Sequence, residues 1–90
     1  MTEQSRYVVI FSPIAAKAID RLPAQVVSRI RKAVDALAID PRPRGCKKLT
    51  GKGDKYRLRV GDYRVVYSVE DDQLIVLVID LGHRRDIYKG

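Results

Sequence analysis

Arg57, Arg59 and Arg64 lie within the stretch "YRLRVGDYRVVY", and His83-Arg84-Arg85-Asp86-Ile87-Tyr88 stands near the C-terminus. These residue types suit phosphate chemistry. A guanidinium is charged at any accessible pH, and its planar fork matches two phosphate oxygens. His83 is the only histidine in the chain and the side chain whose ordinary pKa lies near neutrality, so it is a candidate proton carrier. Tyr88 can stack on a base or hydrogen-bond near a phosphate. Together they suggest phosphodiester cleavage in RNA. Attack by a 2′-hydroxyl needs deprotonation, positioning, charge stabilisation and a proton for the leaving oxygen, and none of these requires a metal.

The plainer alternatives are a solvated polar face for the arginines, a surface position for His83 and edge packing for Tyr88. Against the first stands the scarcity of nearby acids. Arg42, Arg44, Lys47, Lys48, Lys52, Lys55, Arg57, Arg59 and Arg64 face only Asp54 and Asp62 in the same span. Such a concentration attracts phosphates or an acidic protein partner. The net charge of +7 agrees with it.

Elements that position these groups can be read from pattern. Tyr7–Phe11 is a β-rich first strand. Ser12-Pro13 is an N-cap followed by proline at the first helical position, opening a short helix from Ile14 to about Arg21. Leu22-Pro23 breaks it. From Ala24 to about Ile39, Val26, Val27, Ile30, Ala33, Val34, Leu37 and Ala38 recur at three- and four-residue steps, which predicts an amphipathic helix ended by Asp40-Pro41. The connector "RPRGCKKLTGKGD" follows, with Pro43, Gly45, Gly51 and Gly53 as its turn residues.

The remainder reads as sheet. Gly61-Asp62 suits a two-residue type II′ turn, pairing Val60 with Tyr63, Arg59 with Arg64, Leu58 with Val65, Arg57 with Val66 and Tyr56 with Tyr67. One face is then Tyr56, Leu58, Val60, Tyr63, Val65 and Tyr67, a core; the other carries the three arginines. At "EDDQ" a turn pairing Glu70 with Gln73, or Val69 with Leu74, sets Ile79 opposite Arg64 and Leu77 opposite Val66. Val76 and Val78 then join the core face. Leu74–Leu81, apolar on both faces, is expected in the middle of the sheet. Gly82 would deliver His83, Arg84 and Tyr88 near the strand end bearing Arg64.

Ninety residues, 46% hydrophobic and 32% charged, predict one globular domain over 1–90. No apolar run is long enough for a membrane span and no signal pattern precedes the first strand. Cys46 is the only cysteine, and no Cys/His cluster offers metal ligands. A cytoplasmic protein with no metal and no cofactor is expected.

The order of parts resembles the RelE-type toxins of the RelE/ParE toxin–antitoxin superfamily. The segment "KKLTGKGDKYRLRVGDYRVVYSV" followed by "LGHRRDIY" carries the likeness. It implies an α+β fold: a small antiparallel sheet of about four strands, with an N-terminal strand and then a two-helix hairpin packed on one face. It implies a ribosome-dependent endoribonuclease that cleaves mRNA in the ribosomal A site and inhibits translation. The implied partners are a RelB-like antitoxin, mRNA and the ribosome, including its 16S rRNA. By position, Arg57 and Arg59 match strand sites where well-studied members place lysines. Arg64 and Arg84 would hold the scissile phosphate, and Tyr88 would orient the reacting nucleotide. Arg44, Lys47, Lys48, Lys52 and Lys55 would grip RNA or ribosome. Arginine is a poor general base, so the base is unassigned and His83 is the substitute. The rival readings are a ParE-like gyrase inhibitor and a noncatalytic RNA- or ribosome-binding module.

Overall fold

The structure is a computed structural model and describes residues 6–49, 51 and 53–83. Its elements follow in the order β1 (Val8–Phe11), α1 (Pro13–Asp20), α2 (Ala24–Ala36), β2 (Lys47–Lys48), β3 (Lys55–Val60), β4 (Tyr63–Glu70) and β5 (Ile75–His83). The α+β class is as expected, with a fifth strand added. The connector contributes β2, which is too short to show in any hydrophobic pattern. The sheet order is β1-β5-β4-β3-β2, and β1 runs parallel to β5 while the other pairs are antiparallel. The sheet is therefore mixed. β4 is its middle strand and β5 lies between β4 and β1.

Local chemistry explains the helix starts. Ser12 is extended, its Oγ accepts from Ala15 N–H at 3.1 Å, and Pro13 begins the helix. The same hydroxyl donates to Ile79 C=O at 2.6 Å, so the cap also ties α1 to β5. α2 starts at Pro23 without a side-chain cap and is held by its apolar stripe. Ile30, Val34 and Leu37 are fully buried. Each contributes about 1.5–3 kcal/mol of burial. The helix stops at Ala36, and the chain to Asp40 continues as turns bonded back to Val34, Asp35 and Ala36.

The helices cover one face of the sheet. Leu58, Val65, Tyr67, Val69, Val76, Val78 and Leu81 form the core there with Ala15, Ile19, Ile30, Val34 and Leu37. The β3–β4 hairpin has the expected register, Val60↔Tyr63 through Tyr56↔Tyr67, and Gly61 supplies the positive φ of +60° that its turn needs.

The β4–β5 register differs from the expectation. Glu70 pairs with Ile75, and Arg64 pairs with Gly82 rather than Ile79. Two causes act. The turn holds four residues, 71–74, and Leu74 takes a φ of 56°, which β-rich sequence does not announce. The Leu74 carbonyl accepts from Val8 N–H at 2.8 Å, so β1 anchors that bend. Further on, Ile79 is an extra residue opposite the Val66/Tyr67 step, a β-bulge. Strict alternation after Val76 and Val78 would put Asp80 in the core. The bulge turns Asp80 to the far side, opposite Val66, and seats Leu81 against Val65.

Candidate functional site: a cationic sheet face

Alternation along β3 and β4 places Lys55, Arg57, Arg59, Arg64, Val66 and Ser68 on the face away from the helices. Arg59 is exposed, Arg57 half-buried and Arg64 only 3% exposed. β2 extends this face. Lys47 stands directly opposite Arg57 in the β2–β3 ladder, so both side chains project from the same side. Gly45, with a φ of +96°, turns the chain into β2. The result is a concavity of about 360 Å³ lined by Arg44, Gly45, Lys47, Arg57, Leu58 and Arg59. Four of those six residues are cations and none is acidic. Arg59 lines this hollow and also stands opposite Arg64, linking the two. Fixed positive charges so arranged favour a polyanion with closely spaced charges.

The structure thus gathers Arg44, Lys47, Arg57 and Arg59 in one pocket, with Arg64 beside it and Lys55 on the same face opposite Ser68. Lys48 separates from them, since it pairs with Tyr56 on the helix-side face. His83 separates too. It reaches the expected strand end but pairs with Tyr63, one step off Arg64, and so projects from the helix side. There its ring meets Tyr63 edge-on at 5.6 Å, lining a separate 340 Å³ cleft with Ala18, Arg21 and Leu22. Lys52, Arg84 and Tyr88 lie outside the described residues. Among the described residues there is no cluster of three or more His, Cys, Asp or Glu side chains able to hold a metal ion.

Arg42, the first residue of the basic run, is engaged elsewhere. Its guanidinium donates to Asp71 at 2.7 and 3.2 Å and to Tyr56 Oη at 2.8 Å, and lies over the Tyr56 ring. Tyr7 Oη donates to the same Asp71 carboxylate at 2.7 Å. These bonds hold Asp71 below the usual carboxylate range, Arg42 first and Tyr7 second. They also raise Arg42 and Tyr7, in each case through the bond to Asp71 first. Behind them, Tyr67 stacks on Tyr56 and donates to Pro41 C=O at 2.7 Å; burial, then contact with Cys46, raises its pKa. The network pins the connector so that Arg44 and Lys47 meet β3. Sequence reading missed it, because its members are scattered over sixty-four positions, Tyr7 to Asp71.

Comparison with known proteins agrees with this architecture. Residues 9–88 match the family described as ParE toxin of type II toxin-antitoxin system, parDE. The chain belongs to the RelE/ParE superfamily of toxins. Within it, the similar proteins lie on the RelE side. The chain is 34% identical to the mRNA interferase toxin RelE of Escherichia coli K12 over 80 residues, 87% of this chain and 83% of that one. It is 29% identical to the putative toxin RelE1 of Methanocaldococcus jannaschii, over 77% of this chain and 80% of that one. In the archaeal RelE-RelB complex from Pyrococcus horikoshii, a chain with 36% identity superposes with a TM-score of 0.79, covering 88% of this chain and 96% of that one. Among the described residues no helix is long and apolar enough to cross a membrane.

Proposed function

We propose that this protein is the toxin of a type II toxin–antitoxin pair and a ribosome-dependent endoribonuclease that cuts mRNA in the ribosomal A site. The observation that carries the reading is the pocket of Arg44, Lys47, Arg57 and Arg59 next to Arg64, in a chain similar to an mRNA interferase. Such a surface binds an RNA backbone through its phosphates. Arg64 and Arg84 hold the scissile phosphate and stabilise the charge that develops on it. Tyr88 stacks on or orients the reacting nucleotide. The attacking 2′-hydroxyl is internal to the substrate, so positioning and charge stabilisation supply most of the catalysis without a metal. Arg44, Lys47, Lys48, Lys52 and Lys55 contact mRNA or 16S rRNA. A RelB-like antitoxin of acidic character covers the basic face, by analogy with the RelE-RelB assembly of the Pyrococcus relative.

Primer extension on a translated message in a purified system tests the reading. New stops at codon positions that vanish when ribosomes are omitted are the expected result. The matched family is described by its ParE members, so gyrase inhibition is the second reading. An intact message together with inhibited supercoiling would select it.

A further inference from the structure

The ribonuclease reading needs a group that takes the 2′-hydroxyl proton, and the structure narrows the choice. Arg57 and Arg59 keep their protons at any accessible pH. His83 projects from the helix side of the sheet, across the β-layer from the arginines. Among the described residues that line the cationic pocket, Lys47 is the side chain that can lose and regain a proton. It stands directly opposite Arg57, with Arg44 and Arg59 completing the lining. Lys55 shares the face but lies outside the pocket, opposite Ser68. Asp80 also projects to this side, two strands from Arg57, where its Oδ1 accepts from Leu81 N–H at 2.8 Å. Lys47 therefore combines titratable chemistry with a seat among the phosphate-binding groups.

We propose that Lys47 is a catalytic residue, the general base for attack on the scissile phosphate. The proposal rests on the ribonuclease reading. Arg44, Arg57 and Arg59 grip the backbone and bring the 2′-hydroxyl to the lysine amine. The neutral Nζ takes the hydroxyl proton and becomes an ammonium. The 2′-oxygen forms a bond to phosphorus, the bond from phosphorus to the 5′-oxygen breaks, and that oxygen takes a proton from solvent. The products are a 2′,3′-cyclic phosphate and a 5′-hydroxyl, with no change of oxidation state.

Charge-conserving substitutions test this. Lys47→Arg keeps the positive charge at the β2 edge and removes the titratable amine. Its cleavage rate on translating ribosomes should fall about 100-fold or more, the usual scale of general-base catalysis. Ribosome co-sedimentation and melting temperature should stay at wild-type values. Arg57→Lys placed in the Lys47→Arg background swaps the two side chains across one ladder pair and preserves the pocket's composition. The swap should restore most of the lost rate. An active wild type with an equally active Lys47→Arg overturns the assignment alone. So does a Lys47→Arg protein whose ribosome binding falls in step with its cleavage, which would make Lys47 a phosphate anchor. A wild type that cuts no message in the presence of ribosomes overturns the ribonuclease reading, and the assignment with it.

Discussion

Arg59 and Arg64 stand directly opposite each other across the β3–β4 ladder, two like charges on one sheet face. Directly opposed like charges destabilise a sheet, where favourable cross-strand pairs contribute about 0.2–1 kcal/mol. Both residues belong to the face proposed above to bind RNA.

Replacing Arg59 should therefore separate stability from activity. Arg59→Thr keeps a β-branched residue in the strand and removes the repulsion. Its melting temperature should rise by a few degrees, up to about 5 °C for a domain of this size, while cleavage declines. Calorimetry beside primer extension checks both, and a lower melting temperature would contradict the repulsion.

His83→Ala probes the helix side. The lost edge-on contact with Tyr63 should cost about 0.5–1.5 kcal/mol. Cleavage by the folded variant should stay near wild type. A variant that melts normally but no longer cuts would instead make His83 the proton carrier.

Asp71→Asn tests the connector clamp and fixes a pH sign. The Asp71 carboxyl is held below its ordinary value by Arg42 and Tyr7. A depressed folded pKa contributes stability that is complete above the unfolded value of about 3.9 and lost as pH falls through the folded one. The melting gap between wild type and Asp71→Asn should be widest near neutrality and close in strong acid. A gap that persists in strong acid would show that the carboxylate charge is not its source.

Tyr67→Phe removes the buried hydroxyl that donates to the Pro41 carbonyl. The loss should be about 1–3 kcal/mol in urea titration, since a buried acceptor goes unsatisfied. The Tyr67 pKa is raised, so the stability it contributes is present below about 10, the unfolded value, and declines as pH rises beyond it. Tyr67→Phe should therefore lose less stability than wild type on going from neutral to strongly alkaline solution.

Much of the fold is legible in the sequence because its signals are local. Ser12-Pro13 marks the start of α1, the Val26-to-Leu37 spacing marks the core face of α2, and Gly61-Asp62 sets the β3–β4 register. What stayed hidden depends on distant contacts. Leu74 adopts a left-handed conformation with its carbonyl bonded to β1. Ile79 bulges, and without that bulge Asp80 would enter the core. The site divides in the same way. The convergence of Arg57, Arg59 and Arg64 follows from one hairpin, whereas Lys47 joins them only through β2, a two-residue pairing with no periodicity to read. His83 changes face because the bulge at Ile79 adds one residue to β5 and reverses the alternation beyond it.

The parallel ladder between β1 and β5 has a consequence for synthesis. Val8 pairs with Ile75, so the first strand waits for the last one before its hydrogen bonds can form. Contacts of such long sequence separation form late in folding. While the chain is threaded vectorially from the translating ribosome, α1 and α2 have no completed sheet to pack on. The nascent chain acquires its native sheet surface only once β5 has emerged to pair with β1.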